Sequence, residues 1–178
     1  RVPGSTAGMQ TVLDARIVDA SALDQTLEQV RDAAATWGAL AAADRARVLQ
    51  RASAAIEARR GDLIEVAAAE TGKPFAEADT EVSEAVDFAA YYAATARELD
   101  SIAGAVFVPS KVTLVTPPWN FPIAIPAGGV LAALAAGSGV VLKPAPQARC
   151  TAAMLAEALW SAGVPRDLLA LVDVSEDE

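Results

Sequence analysis

The spacing of apolar residues changes near residue 106 and divides the chain into two regions. Residues 1–20 lack a helical period and are predicted to form an extended arm. In residues 21–100, apolar positions recur every three or four residues, which is typical of amphipathic helices. This helical part is predicted to contain four helices, at about 21–40, 44–60, 62–71 and 75–99.

Several residues mark the expected ends of these helices. Ser21 and Asp24 form a capping pair for the first helix, and Asp44 is the expected cap of the second. Gly61 is expected to break the second helix, and Gly72 suits a left-handed cap at the end of the third. The arginines of the second helix are expected on its solvated face: Arg45, Arg47, Arg51 and Arg59.

Residues 106–174 show a different pattern, in which short apolar runs alternate with helical segments. Strands are predicted at 106–108, 112–116, 139–143 and 168–174, and helices at about 123–136 and 151–162. Such alternation is typical of parallel strands joined by right-handed crossover helices. The predicted fold class is therefore α/β, with N-terminal helices followed by a parallel sheet.

The run from Phe121 to Leu142 contains no charged residue and is long enough to be considered as a membrane span. Prolines and glycines interrupt it, and alanine dominates its middle. We therefore interpret it as a buried helix, a glycine turn and a buried strand. No membrane span is expected.

Composition narrows the class of function. The 178 residues are 53% apolar, enough for one domain, or part of a larger one, to bury a substantial core. A formal net charge of −9 disfavours binding to nucleic acid, which requires clustered Lys and Arg. Without histidine the chain cannot supply a Ser-His-Asp triad, and no metal site is expected. A single cysteine, Cys150, and a start unlike a secretory leader predict a cytoplasmic location.

Asn120 is the first candidate for chemistry. It lies between two prolines, Pro118 and Pro122, directly after a predicted strand. An asparagine amide there can donate hydrogen bonds to an oxyanion, an interaction that stabilises comparable transition states by roughly 3 kcal/mol. Taken alone, Asn120 would more simply be a turn residue that satisfies local backbone groups. The flanking Trp119 and Phe121 favour the functional interpretation.

Lys143 is the second candidate. It ends an apolar strand and precedes Pro144, so its ammonium is expected at the carboxyl edge of the sheet, where open α/β folds bind ligands. The simpler alternative is a solvated lysine at a strand end.

Three motifs together resemble the NAD(P)-dependent aldehyde dehydrogenases. They are Glu70-Thr71-Gly72-Lys73-Pro74, Thr116-Pro117-Pro118-Trp119-Asn120-Phe121-Pro122 and Lys143-Pro144-Ala145-Pro146. The sequence is most similar to the L-glutamate γ-semialdehyde (1-pyrroline-5-carboxylate) dehydrogenase module of bifunctional proline utilization A enzymes. This resemblance implies that residues 1–178 form part of an NAD-binding domain, with an incomplete Rossmann-like sheet, and that the catalytic domain is absent.

The resemblance also implies residue roles. Asn120 would be the catalytic oxyanion donor, and Phe121 would border the aldehyde pocket. Lys143 would contact the adenosine ribose of NAD, and Pro146 stands where the family commonly has an acidic ribose contact, which leaves the choice between NAD and NADP open. The remaining implied cofactor contacts are Thr116, Pro117, Pro118, Trp119 and Ala145.

Two further residues have competing interpretations. Glu84 shares a helical face with Phe88 and Tyr91 and could place a carboxylate beside the substrate, although an exposed helical glutamate is the commoner case. Cys150 has no histidine partner and does not match the family's nucleophile motif. We interpret Cys150 as a small buried thiol.

The implied parent enzyme oxidises L-glutamate γ-semialdehyde to glutamate in proline catabolism. It would use NAD, with FAD only if a proline dehydrogenase domain precedes this segment, and would form a homo-oligomer. The family's nucleophilic cysteine and general-base glutamate lie C-terminal to this sequence, so the isolated chain is predicted to be inactive. The alternatives are a non-enzymatic helical interaction module and an aldehyde dehydrogenase of other specificity.

Overall fold

A computed structural model describes residues 5–101 and 103–174. In the described part, helices pack on both faces of a small sheet that lies in the second half of the chain. The helices are α1 (Met9–Asp14), α2 (Ala20–Gly38), α3 (Ala42–Ala58), α4 (Arg60–Thr71), α5 (Phe75–Thr95), α6 (Ala124–Ala135) and α7 (Arg149–Ser161). The strands are β1 (Val112–Val115), β2 (Gly139–Leu142) and β3 (Leu169–Leu171), and short 3₁₀ helices span Ala96–Ser101 and Pro146–Ala148.

The sheet confirms the predicted α/β class. Its strand order is β1-β2-β3 and both pairings are parallel, with Val112 opposite Gly139 and Val140 opposite Leu169. The crossover helices are α6 and α7. Every residue of the central strand β2 is buried, as expected for a strand covered on both faces.

The first predicted strand, 106–108, is wrong. The structure gives this segment no strand hydrogen bonding, and Val106 is 91% exposed. β-branched residues favour a strand only where a neighbouring strand and a packed face are available. The described ranges provide no pairing partner for this segment.

The predicted extended arm is also wrong in part. Met9–Asp14 forms helix α1, and its one buried residue, Val12, belongs to the core around α7. Among residues 5–20, the extended part lies at the end, where the Ile17 amide donates to the Asp173 carbonyl at 3.0 Å. Such a short helix is stabilised by tertiary packing, and the spacing of its apolar residues does not reveal that packing. Residues 1–4 lie outside the described residues.

Two predicted helix starts and one predicted break are corrected. Asp19, and not the pair Ser21 and Asp24, caps α2, because its carboxylate accepts from the Ala22 amide at 2.8 Å. α3 begins at Ala42, so Asp44 lies in its first turn. The break between α3 and α4 falls at Arg59, and Gly61 belongs to α4. The left-handed cap at Gly72 is confirmed, with φ of 73°.

The predicted position of Arg45 is also corrected. The sequence pattern predicts a solvated face for Arg45, but this residue is 3% exposed. Its guanidinium donates to the Leu40 carbonyl at 2.5 Å and to the Ala135 carbonyl, at the C-terminal end of α6, at 3.2 Å. A planar cation can satisfy helix-end carbonyls that lack an intrahelical partner.

The uncharged run from Phe121 to Leu142 is confirmed as a buried helix, a turn and a buried strand. Across the two described ranges, no helix has both the length and the apolar character that crossing a bilayer requires. Two glycines let α6 pack closely: a Cβ at Gly128 would lie 3.2 Å from the Phe88 ring, and one at Gly129 would lie 3.0 Å from Val115. This packing fixes the helix that follows Asn120 against β1 and α5.

Candidate functional site at the carboxyl edge of the sheet

Two turns that carry the candidate residues meet at the carboxyl edge of the sheet. We call residues 116–123, between β1 and α6, the first turn, and residues 143–148, between β2 and α7, the second turn. They start side by side, because the Lys143 amide donates to the Val115 carbonyl at 3.0 Å. Ligands of open α/β folds bind at this edge.

In the first turn, Asn120 is exposed and has a free side chain. Within residues 5–101 and 103–174, its amide group makes no hydrogen bond, although its main-chain carbonyl accepts one. Its neighbours Trp119 and Phe121 are 49% and 43% exposed, so the turn presents aromatic surface on both sides of the amide. Thr116 and Pro118 are also exposed, whereas Pro117 is buried.

In the second turn, Lys143 is partly buried and its ammonium is uncommitted in the described part of the chain, where it forms no ion pair. Ala145 is partly buried and Pro146 is exposed. The structure therefore brings the two sequence-predicted candidates, Asn120 and Lys143, to neighbouring turns with both polar groups available to a ligand.

A buried carboxylate behind the first turn was missed by the sequence analysis. Glu81, on α5, is 1% exposed. Its Oε2 accepts from the amides of Ile123 at 2.8 Å and Ala124 at 3.0 Å, at the start of α6. A carboxylate here satisfies N–H groups that lack intrahelical partners and interacts favourably with the helix dipole.

Lys73 joins this carboxylate to the first turn. Its Nζ lies 2.5 Å from Glu81 Oε1, donates to the Asn120 carbonyl at 2.7 Å, and lies 4.4 Å from the centre of the Phe121 ring. The Glu-Thr-Gly-Lys-Pro motif was a sequence signal for Lys73, but no spacing in the sequence marked Glu81 as buried.

Glu70, from the same motif, holds the helix behind the second turn. Its carboxylate accepts from the amides of Cys150 and Thr151 and from the Thr151 hydroxyl, each at 2.7 Å. Burial, and secondly the Glu70 charge, raise the pKa of the Cys150 thiol to about 12. The interpretation of Cys150 as an inert buried thiol is consistent with both effects.

These contacts restrict how phosphates can bind. A helix N-terminus is normally an attractive site for a phosphate group. Here Glu81 occupies the start of α6 and Glu70 occupies the start of α7. A dinucleotide at this edge would have to place its phosphates elsewhere or displace these carboxylates.

Glu84 is exposed on α5 and, in the portion of the molecule described, forms no ion pair or side-chain hydrogen bond. The α5 carboxylate that contacts the first turn is Glu81, about one helical turn earlier. A role for Glu84 in a substrate pocket stays a prediction.

Comparison with known proteins identifies the family. The family model "Aldehyde dehydrogenase family" matches residues 5–178. The chain belongs to the aldehyde dehydrogenase family. It is 41% identical over 150 residues to the bifunctional protein PutA of Escherichia coli (strain K12), an alignment that covers 84% of this chain and 11% of that protein.

Solved structures show the same fold. Proline utilization A from Corynebacterium freiburgense superposes with a TM-score of 0.83 at 42% identity, over 92% of this chain and 16% of that one. A 1-pyrroline-5-carboxylate dehydrogenase from Thermus, solved with bound NAD, superposes with a TM-score of 0.78 at 32% identity. The match covers 86% of this chain and 32% of that one. The aldehyde dehydrogenase fold is confirmed, and this chain spans between about a tenth and a third of the length of these relatives.

Proposed function

We propose that this chain is the cofactor-side part of an NAD-dependent aldehyde dehydrogenase that oxidises L-glutamate γ-semialdehyde to glutamate. The longer chain to which it would belong is called the parent protein below. The observation that carries the proposal is a pair of polar groups on adjacent turns at one edge of the sheet, the Asn120 side-chain amide and the Lys143 ammonium, neither of which has a hydrogen-bond partner among residues 5–101 and 103–174. Similarity to 1-pyrroline-5-carboxylate dehydrogenases and PutA proteins supports the choice of substrate.

Asn120 is assigned the role of oxyanion donor. When a nucleophile attacks the aldehyde carbon, negative charge develops on the carbonyl oxygen, and a preorganised N–H stabilises that charge more than the neutral carbonyl. The Asn120 side-chain amide is exposed and makes no hydrogen bond within the described residues, so it need not break one before it binds the oxyanion. Removing one such donor lowers kcat by about 10²–10³-fold in comparable enzymes.

Lys143 and the exposed part of the first turn are assigned to the dinucleotide. An ammonium at the carboxyl edge can donate hydrogen bonds to ribose hydroxyls, and the exposed ring of Trp119 in the first turn offers an apolar surface. NAD⁺, when bound, supplies a hydride acceptor. The overall reaction converts aldehyde, NAD⁺ and water into carboxylate, NADH and two protons.

The attacking thiolate and the base that activates water are assigned to parts of the parent protein outside this chain. Cys150 cannot supply the thiolate at neutral pH, because its pKa is raised to about 12 and its side chain is buried. This chain alone is therefore expected to produce no NADH from an aldehyde.

The test compares the purified 178-residue chain with the parent protein in an assay for NADH formed from NAD⁺ and L-glutamate γ-semialdehyde. The proposal expects activity from the parent only, with a higher kcat/KM for this substrate than for acetaldehyde or for pentanal, an uncharged aldehyde with the same carbon chain. Turnover by the chain alone would refute the assignment of the nucleophile. A parent that prefers the uncharged aldehydes would refute the assigned substrate.

A further inference from the structure

A buried ion pair connects the helical part to the first turn. Lys73 lies in the link between α4 and α5, with its side chain 10% exposed, and Glu81 lies on α5, with its side chain 2% exposed. Their partners, the Asn120 carbonyl for Lys73 and the amides of Ile123 and Ala124 for Glu81, lie 42 or more residues further along the chain. The contact is therefore a long-range tertiary restraint on a short segment.

The pair holds that segment at both ends. Lys73 Nζ donates to the Asn120 carbonyl at 2.7 Å, which fixes the plane of the peptide that follows Asn120. Glu81 accepts from the amides three and four residues later, at 2.8 and 3.0 Å. These contacts fix both the direction of the Asn120 carbonyl and the start of α6. The backbone at Asn120 is therefore restrained, and so is the direction of the Asn120 side chain.

Stability alone gives a weak reason for this pair. The free energy needed to remove two charges from water is about as large as the free energy of their attraction. Proteins in which apolar residues of similar volume replace such a pair are often equally stable or more stable. Geometry gives a stronger reason, because charge-assisted hydrogen bonds are short and directional. An oxyanion donor needs such definition, since a misplacement of about 1 Å can cost about 10²-fold in rate.

We propose that Lys73 is a positioning residue for Asn120, held in place by Glu81, and that it acts on the rate of the chemical step without touching the reacting atoms. The proposal rests on the proposed oxyanion role of Asn120. It assigns a function to the lysine of the Glu-Thr-Gly-Lys-Pro motif, which the sequence analysis used only to recognise the family.

The kinetic test uses Lys73→Met in the parent protein, which keeps the length of the side chain and removes the ammonium. We expect kcat to fall by about 10- to 100-fold while KM for NAD⁺ changes less than about twofold. Arg59→Met is the matched control, because it removes a partly buried ion pair, Arg59 with Glu157 at 2.9 Å, that lies between other elements. This control should lower the melting temperature and leave kcat unchanged.

A kcat for Lys73→Met within twofold of the wild type would overturn the proposal. So would an equal loss of kcat in Arg59→Met, since the effect would then be general destabilisation. An exposed lysine at the opposite edge of the sheet gives a charge control: Lys111→Met should leave both kinetic constants unchanged.

A second readout needs no activity and separates this proposal from the proposed function. In Lys73→Met, amide hydrogen exchange in residues 119–124 should become at least about tenfold faster, with exchange in residues 149–153 unchanged. An inactive wild-type parent protein would refute the proposed aldehyde dehydrogenase activity. The exchange experiment would still show whether Lys73 restrains the backbone at Asn120. Unchanged exchange in residues 119–124 would overturn the positioning role.

Discussion

The first and second turns are built alike and held differently. Each follows a parallel strand, presents a candidate polar group at the carboxyl edge, and leads into a helix whose N-terminus is capped by a glutamate from the helical part. Behind the second turn, Glu70 holds only the helix. Behind the first turn, Glu81 holds the helix and Lys73 additionally holds the Asn120 carbonyl itself.

The difference corresponds to the two chemical tasks assigned to the turns. A cationic contact to a ribose tolerates some movement, since a lysine is a flexible point charge with rotatable donors. An oxyanion donor tolerates less movement, because a misplacement of about 1 Å can cost about 10²-fold in rate. The turn with the stricter geometric task is the one with the additional restraint on its backbone.

The largest expected effect is from Glu81→Ala. This change leaves the Lys73 ammonium unpaired in a largely buried site and two α6 amides without an acceptor, so we expect a loss of about 3–5 kcal/mol in the free energy of unfolding. Urea denaturation measures it. Glu84→Ala, at an exposed position of the same helix, is the matched control and should change stability by less than about 0.5 kcal/mol. Equal effects of the two changes would remove the distinction between these glutamates.

A smaller effect is expected from Glu70→Ala. Three hydrogen bonds to a charged acceptor are lost, but Glu70 is partly exposed and its removal leaves no buried cation behind, so we expect a loss of about 2 kcal/mol. The same denaturation experiment tests it, with the exposed Glu65→Ala on α4 as control. A loss larger than that of Glu81→Ala would reverse the comparison between the two turns.

The smallest expected effect concerns pH and Cys150. Burial raises the pKa of this thiol to about 12 from an ordinary value of 9.0, so the unfolded chain loses the proton first as the pH rises. The corresponding stability is complete below about pH 9 and is lost as the pH rises towards 12. Wild type should therefore lose stability relative to Cys150→Ala between pH 9 and 10, by about 1 kcal/mol, which is less than either glutamate effect. A constant difference across that range would contradict the assignment.

The positions of Asn120 and Lys143 could be predicted because local sequence determines them. Each follows an apolar strand directly, and the carboxyl ends of parallel strands meet at one edge. Glu81 could not be predicted to be buried, because its burial depends on amides 42 and 43 residues away. Arg45 was misassigned for the same reason, since its carbonyl partner on α6 is 90 residues distant.

Helix α1 and segment 106–108 show the same limit for secondary structure. Helix α1 has six residues, too few to show a helical period in the sequence, and its stability comes from packing against α7. Segment 106–108 has strand propensity, but no described strand pairs with it. In both cases a tertiary contact, present in one and missing in the other, decides the outcome.

The most direct test of the account is to compare Asn120→Ala with Lys143→Ala in the parent protein by steady-state kinetics. The account predicts that Asn120→Ala lowers kcat by about 10²–10³-fold with KM for NAD⁺ nearly unchanged. Lys143→Ala should instead raise KM for NAD⁺ and change kcat little. If Asn120→Ala kept kcat within about tenfold of the wild type, or if both variants affected KM for NAD⁺ alike, the assigned division between the two turns would be contradicted.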